Sequence, residues 1–249
     1  MTYVVPYIAT SATNATDMWT SDGSLISNVQ RITYANDMVN SSVRAGDGFT
    51  SELGAGTTAA ANNTYAWFFR NDGSGGNFAL ISRLDFSNDM VNASVRKSGP
   101  SSYYGSYAFT ARGNITDSWL FGGGVAVTRV LRTTFATDSD NPITKGNLTF
   151  GAHLPDVIGN TTDGWVVGAN NPFYSTTNRV IYANDSISAS NKSLFPIQPT
   201  YTISSCNVTD AWYSNIQHTS VIYRYSYAND TFTTSGTRLV SNLYGGTAK

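Results

Sequence analysis

The sequence predicts an all-β ring of five four-stranded antiparallel blades, a five-bladed β-propeller with about 48 residues per blade, on three observations. First, an Arg-x-x-aromatic-x-x-Asp segment occurs five times: RITYAND from Arg31, RLDFSND from Arg83, RTTFATD from Arg132, RVIYAND from Arg179 and RYSYAND from Arg224. The arginines step by 52, 49, 47 and 45 residues. Second, all five tryptophans (Trp19, Trp67, Trp119, Trp165 and Trp212) follow an Asn by five residues and a Thr by three, in the pattern Asn-x-Thr-Asp-x-Trp. Tyr65 is the one departure from the Asp. Third, the distance from Trp to the next repeated Arg varies over 12, 16, 13, 14 and 12 residues, so a tolerant loop joins two invariant segments.

The elements of the first unit follow in order. Residues 3–10 (YVVPYIAT) read as a strand, Asn-x-Thr-Asp as a turn, and a second short strand starts at Met18 and Trp19. A polar loop over 22–27 leads to a third strand, ISNVQRITY. Ala35 to Asp37 supply Asn and Asp where a hairpin needs residues that bond their own backbone. VNSSVR is the fourth strand. The sentence repeats in blades of approximately 1–45, 51–97, 103–147, 148–192 and 199–238, with 239–249 as a C-terminal tail, so 1–249 is a single domain. Apolar residues never hold a 3.6-residue period long enough for a helix. One four-stranded sheet cannot bury both its faces, whereas a ring of sheets buries each against the next. The five tryptophans are therefore expected between blades, beside Tyr34, Phe86, Phe135, Tyr182 and Tyr227.

Composition narrows the function classes. With 12% charged residues and a net charge of −1, the chain lacks the basic balance of a duplex nucleic-acid binder. The single cysteine, Cys206, reads as a small core residue, and two scattered histidines, His153 and His218, offer no zinc spacing. No segment has the length and apolarity of a membrane span. The N-terminal stretch has neither a charged n-region nor a sustained apolar run, so it does not read as a signal peptide.

WLFGGG at Trp119–Gly124 resembles the kelch-type blade, whose apolar second strand closes on paired glycines, although the other copies read WTSDG, WFFRND, WVVGAN and WYSNI. Trp-x-x-Gly-Gly together with Arg-x-x-Tyr-Ala-Asn-Asp on a Ser/Thr/Asn-rich background is similar to repeat proteins encoded by marine and cyanobacterial phages. That resemblance implies a propeller, and a virion-associated place on a tail or capsid appendage. It implies manufacture in the host cytoplasm, an extracellular virion location after lysis, and two kinds of partner: other virion proteins and a host surface glycan or receptor.

Each repeated charge has a structural reading and a functional one. Arg31, Arg83, Arg132, Arg179 and Arg224 are expected along the blade interfaces, bonded to turn carbonyls or to Asp37, Asp89, Asp138, Asp185 and Asp230, because a planar guanidinium with five donors ties loops together. Five equivalent ligand sites are the alternative. Asn-x-Thr-Asp lacks the dense carboxylates of a dedicated calcium loop, so turn chemistry accounts for it and no metal or cofactor is expected. A further basic set, Arg44, Arg96, Lys145, Lys192 and Arg238, is expected on exposed outer strands, where charge discourages edge pairing.

A glycosidase needs two carboxyl groups at a set distance. The chain has one glutamate, Glu52, and nearly every aspartate outside the turns (Asp22, Asp47, Asp72, Asp140, Asp156) reads as isolated in a loop, so no catalytic residue is assigned. The expected function is a non-enzymatic propeller for binding or structural decoration; a freestanding lectin and, more weakly, a glycosidase-like propeller are the alternatives. Strands alternate in direction, so the 1–2 and 3–4 turns share one face and the variable loops the other. On that variable face Asn71, Asp72, Tyr104, Asn171, Phe173 and Tyr174 are the expected contact residues, since exposed aromatics beside amides suit a sugar.

Overall fold

The computed structural model describes residues 10–13, 15–21, 28–36, 42–46, 57–71, 78–90, 93–98, 109–122, 127–140, 142–151, 155–169, 174–184, 186–188, 192, 202–215 and 221–238. Among them twenty strands form five four-stranded antiparallel sheets, each built from consecutive strands, arranged as a five-bladed β-propeller. Blade 1 holds β1 (Thr10–Thr13), β2 (Asp17–Ser21), β3 (Asn28–Thr33) and β4 (Ser42–Gly46). Blade 2 holds β5 (Thr57–Ala61), β6 (Tyr65–Asn71), β7 (Phe78–Asp85) and β8 (Ser94–Ser98). Blade 3 holds β9 (Phe109–Gly113), β10 (Asp117–Gly122), β11 (Arg129–Thr134) and β12 (Ile143–Asn147). Blade 4 holds β13 (Asp156–Gly159), β14 (Asp163–Ala169), β15 (Tyr174–Ile181) and β16 (Ser186–Ser188). Blade 5 holds β17 (Thr202–Cys206), β18 (Asp210–Asn215), β19 (Val221–Ser226) and β20 (Thr231–Arg238). The first strands stand side by side, β1 by β5, β5 by β9, β9 by β13 and β13 by β17.

Period two distributes the core. In β6, Trp67 and Phe69 face blade 3, where they meet Leu120, Leu131 and Phe135, while Ala66 and Phe68 face blade 1 and meet Trp19 and Val29. Trp119 and Phe121 pack on Val166, Val180 and Tyr182 of blade 4, and Trp165 and Val167 pack on Tyr213, Tyr225 and Tyr227 of blade 5. Leu148 and Phe150 belong to no strand; they plug the core between blades 3 and 4, pinned by Asn178 Oδ1, which accepts from the Thr149 N–H at 2.7 Å. Asp156, expected in a loop, instead opens β13 and accepts from the Ser204 hydroxyl at 2.8 Å.

The tryptophan ring is uneven. Trp19, Trp67, Trp119 and Trp165 are each 1% exposed. They stack on Phe86, Phe135, Tyr182 and Tyr227 of the following blade at centroid distances of 3.9, 3.7, 4.1 and 4.2 Å. Trp212 departs from the expectation of burial: it is half-buried, and Tyr34, the equivalent aromatic of blade 1, is 45% exposed. These two residues belong to the seam between the last and first blades. Among the described residues each sheet is made of strands from one blade alone, so no described strand crosses that seam.

In blade 4 the aromatic carries a hydroxyl that the flanking backbone must accommodate. A Cβ built on Gly164 would sit 2.6 Å from Tyr182 Oη, which is buried and has no hydrogen-bond partner among the described residues. Gly164→Ala is expected to cost about 1–3 kcal/mol, as overpacking does. Adding Tyr182→Phe, which removes the hydroxyl, should recover most of that loss. The midpoint of urea unfolding checks it, and a double variant no better than Gly164→Ala alone places the strain elsewhere.

Candidate functional site

The Asn-x-Thr-Asp segment builds the same turn in the four copies whose Asn is described; Asn14 lies outside the described residues. Asn62 Oδ1 accepts the N–H groups of Thr64 and Tyr65 at 2.8 and 2.9 Å, and Asn114, Asn160 and Asn207 repeat the arrangement. The Thr carbonyl then accepts the backbone N–H of the repeated aromatic in all five blades, from Tyr34 to Thr16, Phe86 to Thr64, Phe135 to Thr116, Tyr182 to Thr162 and Tyr227 to Thr209, at 2.9–3.1 Å. These bonds fix the 1–2 and 3–4 turns on one face, as strand alternation requires.

On that face the repeated charges are wired from blade to blade. Asp138 of blade 3 is 1% exposed and receives three donors from blade 2: Trp67 Nε1 at 2.9 Å, Arg83 Nη1 at 3.2 Å and Arg96 Nε at 2.8 Å. Asp89 likewise takes Trp19 Nε1 and Arg31 Nη1, each at 3.0 Å, with Arg44 Nε 3.7 Å away. Asp230 takes Trp165 Nε1 at 2.7 Å and faces Arg179 Nη1 at 3.7 Å and Lys192 Nζ at 3.8 Å. Arg31, Arg83 and Arg179 thus each face a carboxylate of the following blade, Asp89, Asp138 and Asp230. Asp37 and Asp185 lie outside the described residues.

The outer basic set is corrected by the same geometry. Arg44 (β4), Arg96 (β8) and Lys192 (beyond the end of β16) do more than guard an exposed edge, because their heads reach the carboxylate of the next blade. An unscreened carboxylate between two blades is costly, and two cations with an indole N–H compensate it.

The Asp of Asn-x-Thr-Asp is the second, own-blade partner of the repeated Arg. Arg179 Nε bonds Asp163 Oδ1 at 2.9 Å, and Arg224 grips Asp210 through Nε and Nη2, both at 2.9 Å. The Arg224 bonds, with a further one from Thr209, hold the Asp210 carboxyl below its ordinary value. Where blade 2 has Tyr65 instead of Asp, Arg83 lies 4.6 Å above the phenol ring, so a cation–π contact replaces the ion pair. In blade 5 the 3–4 turn is tighter than its counterparts: Asp230 adopts a φ of 52°, a left-handed conformation that Asp tolerates better than most side chains, and β20 starts on the next residue.

A scan against protein-family models finds no match for this chain, and a search of the curated proteins finds none either. What the molecule offers a ligand is therefore read from its own surfaces. On the variable face Asn71 closes β6 and Tyr174 opens β15, so their backbones stand at the mouths of 2–3 loops. Asp72, Tyr104, Asn171 and Phe173 lie outside the described residues.

On the turn face the 1–2 turns of blades 2 to 5, with Thr13 at the end of β1, line a cavity of about 550 Å3. Arg112 of β9 and Cys206 of β17 line it, and Arg112 Nη2 donates to Gly159 O and Cys206 Sγ, each at 2.9 Å. Cys206, expected in the core, is half-buried and borders both the core between blades 4 and 5 and this cavity. Behind the wall, burial pushes the phenols of Tyr182 and Tyr227 well above their ordinary values, with Arg112 pulling both partly back.

Arg112 escaped the sequence reading because it is not repeated. At its register position, two before the turn Asn, the other blades hold Ala12, Ala60, Ile158 and Ser205. Comparing blades column by column for the odd residue, rather than for the shared one, would have found it.

Proposed function

We propose that this propeller is a non-enzymatic binding module of a phage virion, carried on a tail or capsid appendage and recognising a host surface glycan through its variable loops. One observation carries the reading. Arg31, Arg83 and Arg179, members of a repeated set that would otherwise suggest catalysis or five equivalent sites, each face a carboxylate of the next blade, as at Asp138 with Trp67, Arg83 and Arg96. Sequence variation is left to the 2–3 and 4–1 loops, which share the face opposite the invariant turns, and a rigid scaffold bearing variable loops is a common architecture for recognition. The kelch-like and phage-like character of the repeats supports the virion setting and partners among other virion proteins.

The test is adsorption of purified protein to host cells and to a glycan array. Replacing Tyr104 and Tyr174 together by Ala should abolish adsorption while leaving the thermal midpoint within about 2 °C, since surface substitutions away from special contacts stay within ±0.5 kcal/mol. Full adsorption by that variant, with loss on altering the Ala-Asn-Asp turns instead, would put recognition on the other face. Turnover of a bound glycan would overturn the non-enzymatic assignment.

A further inference from the structure

The cavity ringed by the 1–2 turns has the dimensions of a small-molecule site, about 550 Å3 against the usual 300–1,000 Å3. Among the described residues its wall contains one charged side chain, Arg112, and no carboxylate. The repeated arginines resolved in the interfaces face carboxylates; Arg112 faces none among the described residues. Its Nη2 is anchored by Gly159 O and Cys206 Sγ, which fixes the head without neutralising it. Its Nε and Nη1 hydrogens have no protein partner among the described residues, and a guanidinium presents five donors in a fork that matches a carboxylate.

The surroundings specify more than an anion. Asn62, Asn114, Asn160 and Asn207 ring the same cavity. Their Oδ1 atoms are taken up in the turns, leaving the Nδ2 groups as donors along the rim. Asn62 and Asn160 reach the Ile115 and Val208 carbonyls of the next blade only at 3.4 Å, beyond the usual range of a strong N–H···O bond. Ile115 and Val208 themselves are 65% and 72% exposed on the rim, where they offer an apolar patch to the C–H face of a pyranose. One cation balances one carboxylate, whereas a dianionic phosphate would leave an uncompensated charge in a wall with no second cation among the described residues.

We infer that this central pocket binds a carboxylate-bearing sugar residue, with Arg112 gripping the carboxylate and the asparagine amides donating to the ring hydroxyls. The site is on the face away from the loops proposed above for adsorption, and does not depend on them, so the two assignments succeed or fail in separate assays.

Cys206 provides the readout, because it lines the pocket and is the only thiol in the chain. Its alkylation by neutral iodoacetamide is followed by intact-mass spectrometry with glucuronate, glucuronamide, glucose or acetate present. Glucuronate should slow alkylation saturably, at concentrations at least about tenfold below those needed for any of the other three, the ratio expected when a charge-assisted hydrogen bond is lost. Arg112→Gln, which also gives up the bonds to Gly159 O and Cys206 Sγ, should abolish that advantage, read as the ratio of alkylation rates with and without glucuronate in the same variant. If that variant does not fold, the glucuronate against glucuronamide comparison on the unaltered protein still isolates the charge. Equal protection by glucuronate and acetate would reduce the site to one for carboxylates alone and overturn the sugar assignment. Equal protection by glucuronate and glucuronamide, no protection by glucuronate, or full protection retained in Arg112→Gln would remove Arg112 from it.

Discussion

Replacing Asp138 by Ala is expected to destabilise the protein by about 3–5 kcal/mol, the range found when one member of a buried ionic cluster is removed. The loss has three parts that arise together: Trp67 Nε1 is left without its acceptor, and Arg83 and Arg96 keep their charges without the carboxylate that offsets them. For a chain of this length each kcal/mol moves the melting midpoint by about 2–4 °C, so the shift should be on the order of 10 °C. Asp138→Asn should fall between the two, because an amide oxygen can still accept from the indole while the ionic attraction is gone. Asp140, two residues on and exposed, is the control: Asp140→Asn should change stability by less than about 0.5 kcal/mol. Equal effects at 138 and 140 in thermal unfolding would refute the convergence of donors on Asp138.

Trp67→Ala is expected to cost a similar amount, about 3–5 kcal/mol, from the loss of a large core side chain. Trp67 is 1% exposed, lies 3.7 Å from the Phe135 ring at an interplanar angle of 5°, and supplies one of the Asp138 bonds. The informative comparison is Trp212→Ala. Trp212 carries the same repeat position but is half-buried, so its truncation should cost less than half as much, in keeping with the smaller area it removes from water. Urea unfolding of the two variants separates the readings. Equal losses would mean that the seam between blades 5 and 1 is packed as tightly as the other interfaces.

The blade count, the strand boundaries near the motifs and the burial of four tryptophans were legible in the sequence, because identical side chains at identical spacing report identical surroundings. Which aspartate each arginine meets was not. Arg31 lies six residues from Asp37 and 58 from Asp89, yet it is Asp89 whose carboxylate lies 3.0 Å from its Nη1. Any offset of one whole repeat is invisible to a periodic pattern, so own-blade and next-blade pairing look alike until the sheets are placed. Trp212 defeated the same logic for a related reason. A repeat predicts the average interface, and Trp212 and Tyr34 depart from that average in their exposure. Arg112 went unseen because periodicity finds shared residues, and its significance lies in being alone.

The interblade wiring runs one way. At the junctions of blades 1–2, 2–3 and 4–5 the earlier blade presents a donor edge, formed by its indole and two cations, and the later blade an acceptor edge, formed by its turn carboxylate. Blade 2 illustrates both, taking Trp19 and Arg31 on Asp89 and offering Trp67, Arg83 and Arg96 to Asp138. A gene segment encoding one blade consequently encodes a matched plug and socket. Tandem duplication of such a segment creates a new junction already furnished with both halves, whereas a ring with two-way or blade-specific contacts would need compensating changes at once on either side.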